Sequence, residues 1–170
     1  MAVDTRQLRE FQKKIQKAQQ GLEPVIERVA RESAKYLIDQ CVMRTPVSAP
    51  VEINGDTYTP YEAGTMRTGG NLRQSWIDDN KSLIVHKIGD EYFLSVVNTN
   101  YYASYVEDGH TQHVGQLFPV YVNGKLEYRR HKKAWVEGKH FLRLSEDDLR
   151  RAMPGIVEHR ISDYIKGALE

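Results

Sequence analysis

Two stretches, RTGGNLRQSW (residues 67–76) and NTNYYASYVEDGH (residues 98–110), bracket a segment that reads as a β-hairpin, and their chemistry decides the fold. The first joins a Gly69-Gly70 turn, which residues without a Cβ enter cheaply, to a basic and aromatic run that opens a short helix or strand. The second places Tyr101, Tyr102 and Tyr105 on one helical turn ending at Gly109, a residue suited to a left-handed C-terminal cap. Neither looks built for catalysis. The three tyrosines and Glu107 are expected to pack a short helix onto the sheet, their polar tips finding partners when buried.

Between the two stretches, residues 82–88 and 92–98 alternate across Gly89-Asp90-Glu91 as an antiparallel hairpin. Upstream, Val25, Ile26, Val29, Ala30, Ser33, Ala34, Leu37, Ile38, Cys41 and Val42 repeat on one broad face, which marks a core helix over about residues 23–43, with Pro24 suited to its first turn. Thr45-Pro46-Val47 ends that helix, because the residue before proline is pushed out of helical geometry. A thinner stripe of Leu8, Phe11 and Ile15, capped by Asp4 or Thr5, predicts a separable helix over residues 5–20. The long loop 48–66 contains Tyr58, Tyr61 and an Asn54-Gly55 turn between short strands. Downstream, residues 117–122 and 125–130 flank Asn123-Gly124 as a second hairpin. Ser145-Glu146-Asp147-Asp148, following Phe141-Leu142, has the cap oxygen and first-turn acids of a helix start, and Pro154 is expected to bend or interrupt the helix that runs to about residue 168. The organisation expected is α+β: an N-terminal helical arm, residues 1–22, and a single domain, residues 23–170, whose antiparallel sheet is packed by a long N-terminal core helix and a C-terminal helix. The 48–66 loop and 117–130 hairpin extend from it as arms.

Composition narrows the function classes. The chain has 170 residues, and 24 basic against 23 acidic side chains give a net charge of +1, too weak a field to predict binding to nucleic acid or an anionic membrane. Cys41, the sole cysteine, falls on the apolar face of the core helix and is expected to be a buried structural thiol. Residues 1–20 are polar, so no secretory leader is expected there, and no apolar run is long enough for a membrane span. The protein is expected to stay in the cytosol unless a larger assembly carries it elsewhere.

Catalytic and ligand motifs are weak throughout. Glu107, Asp108, His110 and His113 could meet at one ion, but their spacing matches no zinc-site pattern and His86, His131, His140 and His159 are scattered, so no metal or other cofactor is expected. No Gly-x-Ser-x-Gly elbow surrounds Ser75 or Ser104, and Gly69-Gly70 lacks the spacing and Lys-Ser/Thr of a phosphate loop, so no enzyme or small-molecule substrate is indicated. Arg129, Arg130, His131, Lys132 and Lys133 form a basic patch near Tyr128 and Trp135, a combination that suits a local contact with DNA.

The order of core helix, Thr45-Pro46-Val47, Arg67-Thr68-Gly69-Gly70-Asn71-Leu72-Arg73-Gln74-Ser75-Trp76, hairpin, Tyr101-Tyr102-Ala103-Ser104-Tyr105-Val106-Glu107-Asp108-Gly109 and Phe141-Leu142 before a last helix resembles a family of tailed-phage neck and minor tail components. Members of that family read TP-V-D-T-G-x-L-R-x-S-W, then Y-A-x-Y-V-E-x-G-T, then P-F-L-x-P-A, and the resemblance spans about residues 25–168. Here the long loop splits the first motif, His110 displaces the threonine to Thr111, and His140 stands where the proline precedes Phe141. The resemblance implies a structural virion protein without enzymatic activity, assembled in the host cytoplasm as a ring at the head-to-tail junction. Its partners would be further copies of itself, head-closure or connector proteins, and tail-terminator or tail-tube proteins, with local DNA contact in the channel and no membrane partner. A tail terminator, another minor tail protein or a part of a tail-like bacteriocin are alternatives within the resemblance; a small metal-dependent hydrolase and a nucleic-acid module are the alternatives outside it.

A ring subunit needs two different surfaces for a head-to-tail contact. Aromatic and basic positions are the candidates: Tyr58, Tyr61, Tyr121, Lys125, Tyr128, Arg129 and Arg130 for such contacts, and Arg67, Arg73 and Trp76 for organising the fold or meeting a neighbour. Gly69, Gly70, Leu72, Tyr101, Tyr102, Tyr105, Glu107, Gly109, Phe141 and Leu142 are expected to serve the fold.

Overall fold

The apolar repeat from Val25 to Val42 folds as helix α1 (Leu22–Arg44) in a computed structural model that describes residues 10, 12–16, 21–47, 51–60, 70–89 and 91–169. Residues 10 and 12–16 are helical, and the rest of the expected arm helix 5–20 lies outside the described residues. After α1 come β1 (Val51–Ile53), β2 (Asp56–Pro60), α2 (Asn71–Asp78), β3 (His86–Ile88), β4 (Glu91–Phe93), α3 (Ala103–Asp108), β5 (Gly109–Thr111), β6 (Leu117–Val122), β7 (Lys125–Arg130), β8 (Trp135–Glu137) and α4 (Phe141–Leu169). The fold is α+β. Its described strands form three antiparallel sheets, ordered β1-β2-β6-β7, β3-β4 and β5-β8, rather than one.

The chain divides into two compact units, each served by parts of α1 and α4. The first comprises residues 1–37, 83–96 and 147–170. Inside it the Ser33 hydroxyl donates to the Met153 sulfur at 3.1 Å, and Arg160 forks onto the Glu32 carboxylate. Gly21 leaves room for the Tyr164 ring, which a Cβ at that position would strike. Ile26, expected in the core face, is 39% exposed. The hairpin here is shorter than its alternation suggests, with strand pairing confined to 86–88 and 91–93. Arg31 explains part of the loss: its guanidinium takes the Leu83 carbonyl at 2.5 Å, an acceptor the longer hairpin needs for its ladder. Of the bend or interruption expected at Pro154, the interruption does not occur: helix α4 is continuous through it.

The second unit, residues 38–82 and 97–146, holds the most deeply buried side chains: Cys41, Thr45, Leu72, Trp76, Phe141 and Ser145. Thr45 terminates α1, donating its amide and hydroxyl to the Cys41 carbonyl at 2.8 and 2.6 Å. Its hydroxyl oxygen also accepts the Trp76 indole N–H at 2.9 Å, and its carbonyl accepts Arg73 Nε and Nη2 at 3.2 and 2.7 Å. The Trp76 ring meets Phe141 edge to face, centroids 6.0 Å apart. Three motifs far apart in sequence therefore close on one buried point.

Two further attachments complete this unit. Asn80, 7% exposed, donates to the carbonyls of Trp76 and Val97 and accepts the Val97 amide at 2.9 Å, so a side chain replaces the strand pairing expected at residues 94–98. Helix α4 begins at Phe141, four residues ahead of the expected start, because the Glu107 carboxylate takes the amides of Leu142 and Arg143 at 2.9 and 3.0 Å. Ser145, expected as the cap, lies inside the helix with its hydroxyl on the Phe141 carbonyl. His140 precedes the helix at φ +50°, a conformation closed to the proline that stands there in the resembling family.

Replacing Trp76, 2% exposed, with alanine removes the indole donor and the Phe141 contact together. A loss of about 3–5 kcal/mol is expected in denaturant unfolding. A near-wild-type transition would show that Trp76 does not organise the core.

Candidate assembly surface

The sequence-derived site residues separate into an inward and an outward set. Leu72, Arg73 and Trp76 are turned into the fold, so of the two roles expected for Arg73 and Trp76, organising the fold or meeting a neighbour, their hydrogen bonds to Thr45 serve the first. Phe141 is buried and Leu142 receives the Glu107 cap. Gly70 precedes α2 at φ +145° with no heavy atom near a would-be Cβ, so its backbone angle rather than close packing requires glycine. Tyr61, Arg67 and Gly69 lie outside the described residues.

The tyrosine motif departs from its expected role. Tyr101 is 86% and Tyr105 55% exposed, so these rings do not pack α3 onto a sheet. Tyr101 meets Tyr102 edge to face at 5.1 Å, and Tyr105 meets His110 at 5.8 Å. Gly109 has φ +87° and ψ 172°, outside the left-handed helical well expected of a cap. Its hydrogen is needed instead for close approach: a Cβ there would lie 2.7 Å from the Trp135 ring and 2.8 Å from the Gly138 amide. Gly138 passes equally close to the backbone of Glu107 and Asp108. Sequence reading missed Gly138 and Asn80, because an isolated glycine or asparagine carries no local pattern.

The outward set gathers on one sheet. Asn54-Gly55 and Asn123-Gly124 both have positive φ angles, as type I′ hairpin turns require. The two hairpins, expected as independent arms, pair with each other through Tyr58↔Val122, Thr59↔Tyr121 and Pro60↔Val120. Asn123 locks that register, donating its side-chain nitrogen to Asp56 and accepting the Thr57 amide, each at 2.8 Å. Tyr58, Tyr121, Lys125, Tyr128, Arg129 and Arg130 are thereby brought together on three adjacent strands, β2, β6 and β7.

An open groove of about 1240 Å³ runs along this sheet, lined by Ile53, Tyr58, Phe118 and Tyr128 and by the basic run 129–133. Arg129 pairs with Glu127 at 2.7 Å and stands 5.8 Å from the Tyr58 ring centre. His131 stacks on Phe118 at 4.5 Å, and Arg130 donates to the Gly115 carbonyl at 2.6 Å. Tyr128 is 63% exposed. This open groove, lined by aromatic and cationic side chains, suits a broad contact.

An acidic and an imidazole group of the second motif are engaged with the backbone. Glu107 is committed to the α4 amides, and His110 Nδ1 sits 3.4 Å from the Tyr105 carbonyl. Among the described residues no three His, Cys, Asp or Glu side chains cluster as a cation site, and no helix is long and apolar enough to cross a membrane. Cys41 is buried, and the loss of water around it pushes its thiol up to about 11.

Residues 9–109, more than half of the chain, match the HK97-gp10-like family, described as "Bacteriophage HK97-gp10, putative tail-component". The match contains the Thr45 turn, the first long motif and the second as far as Gly109, and stops before Phe141. No curated protein and no solved structure matches the chain. This match defines the class as a structural component of a phage tail. The chain belongs to the HK97-gp10-like family of phage tail components.

Two outcomes follow from the site geometry. Glu107→Ala should lower stability by about 1–2 kcal/mol and speed amide exchange at Leu142 and Arg143, since both lose their acceptor. Cys41 should resist alkylation at pH 8 in the folded protein and react fully once unfolded, because only the thiolate attacks; rapid labelling of native protein would contradict its burial.

Proposed function

We propose that the protein is a non-catalytic ring subunit at the head-to-tail junction of a tailed phage, joining tail to head in the virion after assembly in the host cytoplasm. The observation that carries this reading is the split between the motifs and the surface. Three of the resembling motifs close the core through Thr45, Trp76 and Phe141, while a separate sheet gathers Tyr58, Phe118, Tyr128 and the basic run 129–133 along one groove. A component whose work is contact needs a rigid interior and a broad outer face, and it needs no convergent acid, base or nucleophile. Tyr58, Tyr121, Lys125, Tyr128, Arg129 and Arg130 are the contact residues in this proposal. Its partners are further copies of the chain, head-closure or connector proteins, and tail-terminator or tail-tube proteins.

Light scattering over a range of protein concentrations, followed by electron microscopy of large species, tests the assignment. Rings formed by the chain alone, or on mixing with neck and tail proteins, are the expected result. A monomer that never associates in either setting would overturn it.

A further inference from the structure

The four-stranded sheet ends in two different edges. On one side is β1, whose Glu52 has no partner among the described residues; on the other is β7, with Lys125, Arg129 and Arg130 along six residues. Neither edge is paired to another strand among the described residues, so each presents backbone donors and acceptors to a further strand. We propose that a second copy of this chain continues the sheet, its β1 edge pairing with the β7 edge of its neighbour. The inference rests on the ring reading and specifies the contact that would build the ring.

Direction and charge both favour this occupant. Every neighbouring pair in the sheet is antiparallel, so three reversals leave β7 running opposite to β1. A neighbour related by simple repetition along the sheet therefore lays its β1 antiparallel to β7 and keeps the alternation unbroken. The register also fixes the faces: Glu52 shares a face with Thr57, Tyr121, Leu126 and, two residues at a time, Tyr128 and Arg130. Glu52 of one copy thus falls on the same face as Arg130 of the next. The two-fold alternatives place like charges together. β7 against its own copy in full overlap sets Lys125 opposite Arg130 twice, and β1 against its copy centres Glu52 on Glu52. Charged edges commonly prevent strand addition. Here the two edges carry opposite signs, which blocks each from its own kind while admitting the other. Such a contact is heterologous, the type that closes into a ring. The exposed Ile53, Leu126 and Tyr128 add apolar area beside the joined strands.

A charge exchange on the full chain tests the proposal. Glu52→Lys and Arg130→Glu should each weaken self-association by roughly tenfold, and the double variant should recover it. Thermal melts of all three establish that they fold, and amide exchange on the assembled wild type reads the edge directly. Slowed exchange of β7 and β1 amides on assembly, together with rescue in the double variant, is the expected result. Rings whose β7 amides exchange as in the monomer, or single variants that assemble normally, would overturn the edge contact and leave the ring reading intact. A species that stops at a closed dimer would also overturn it. A wild-type chain that stays monomeric alone and with neck and tail proteins would overturn both.

Discussion

The hydrogen bond from the Trp76 indole to the Thr45 hydroxyl is the constraint on which the second unit is built. A buried indole N–H without an acceptor costs a large part of a small domain's stability, so Trp76 can enter the core only where an oxygen is waiting. Thr45 supplies it because Pro46 stops the helix at Arg44 and turns the last residue inward. The same hydroxyl reaches back to Cys41, and the same residue's carbonyl holds Arg73. Phe141 then closes over the ring edge, which fixes where α4 can begin.

Polar side chains, more than strand ladders, fasten the remaining segments to this point. Asn80 holds Val97, Asn98 holds the Leu72 carbonyl, Asp79 accepts from Thr99, and Glu107 caps α4. Each is a group with fixed geometry that satisfies backbone atoms belonging to a distant segment. This is why motifs rich in Asn, Thr, Arg and Glu can be structural: their letters resemble those of a reactive site, but their partners are main-chain amides and carbonyls. A tail component gains from that arrangement, since an interior held by directional bonds keeps its outer sheet in one shape while that sheet meets a partner.

The outer sheet shows a different economy. Two hairpins with the same Asn-Gly turn are joined by the side chain of Asn123, which reads the register of the other turn through Asp56 and Thr57. The joining places aromatic and cationic residues from opposite halves of the sequence in one groove and leaves two unlike edges. Contact surfaces in the proposed ring thus depend on an association between segments that are about 66 residues apart.

Sequence alone determined the elements whose signals are local. Apolar periodicity marked α1, the Asn-Gly pairs marked both hairpins of the large sheet, and the ordered motifs pointed to the phage tail family that the match over residues 9–109 establishes. Each of these depends on neighbours within a few residues, where spacing carries the physics. Only the tertiary structure decided the rest. The start of α4 at Phe141 was invisible because its cap comes from Glu107, and the shortening of the 82–98 hairpin was invisible because Arg31 and Asn80 take its backbone groups. The exposure of Tyr101 and Tyr105, the inward turn of Trp76, and the union of two arms into one sheet likewise depend on partners that no local window contains. Side chains bond to whatever the fold brings near, and that proximity is a property of the whole chain.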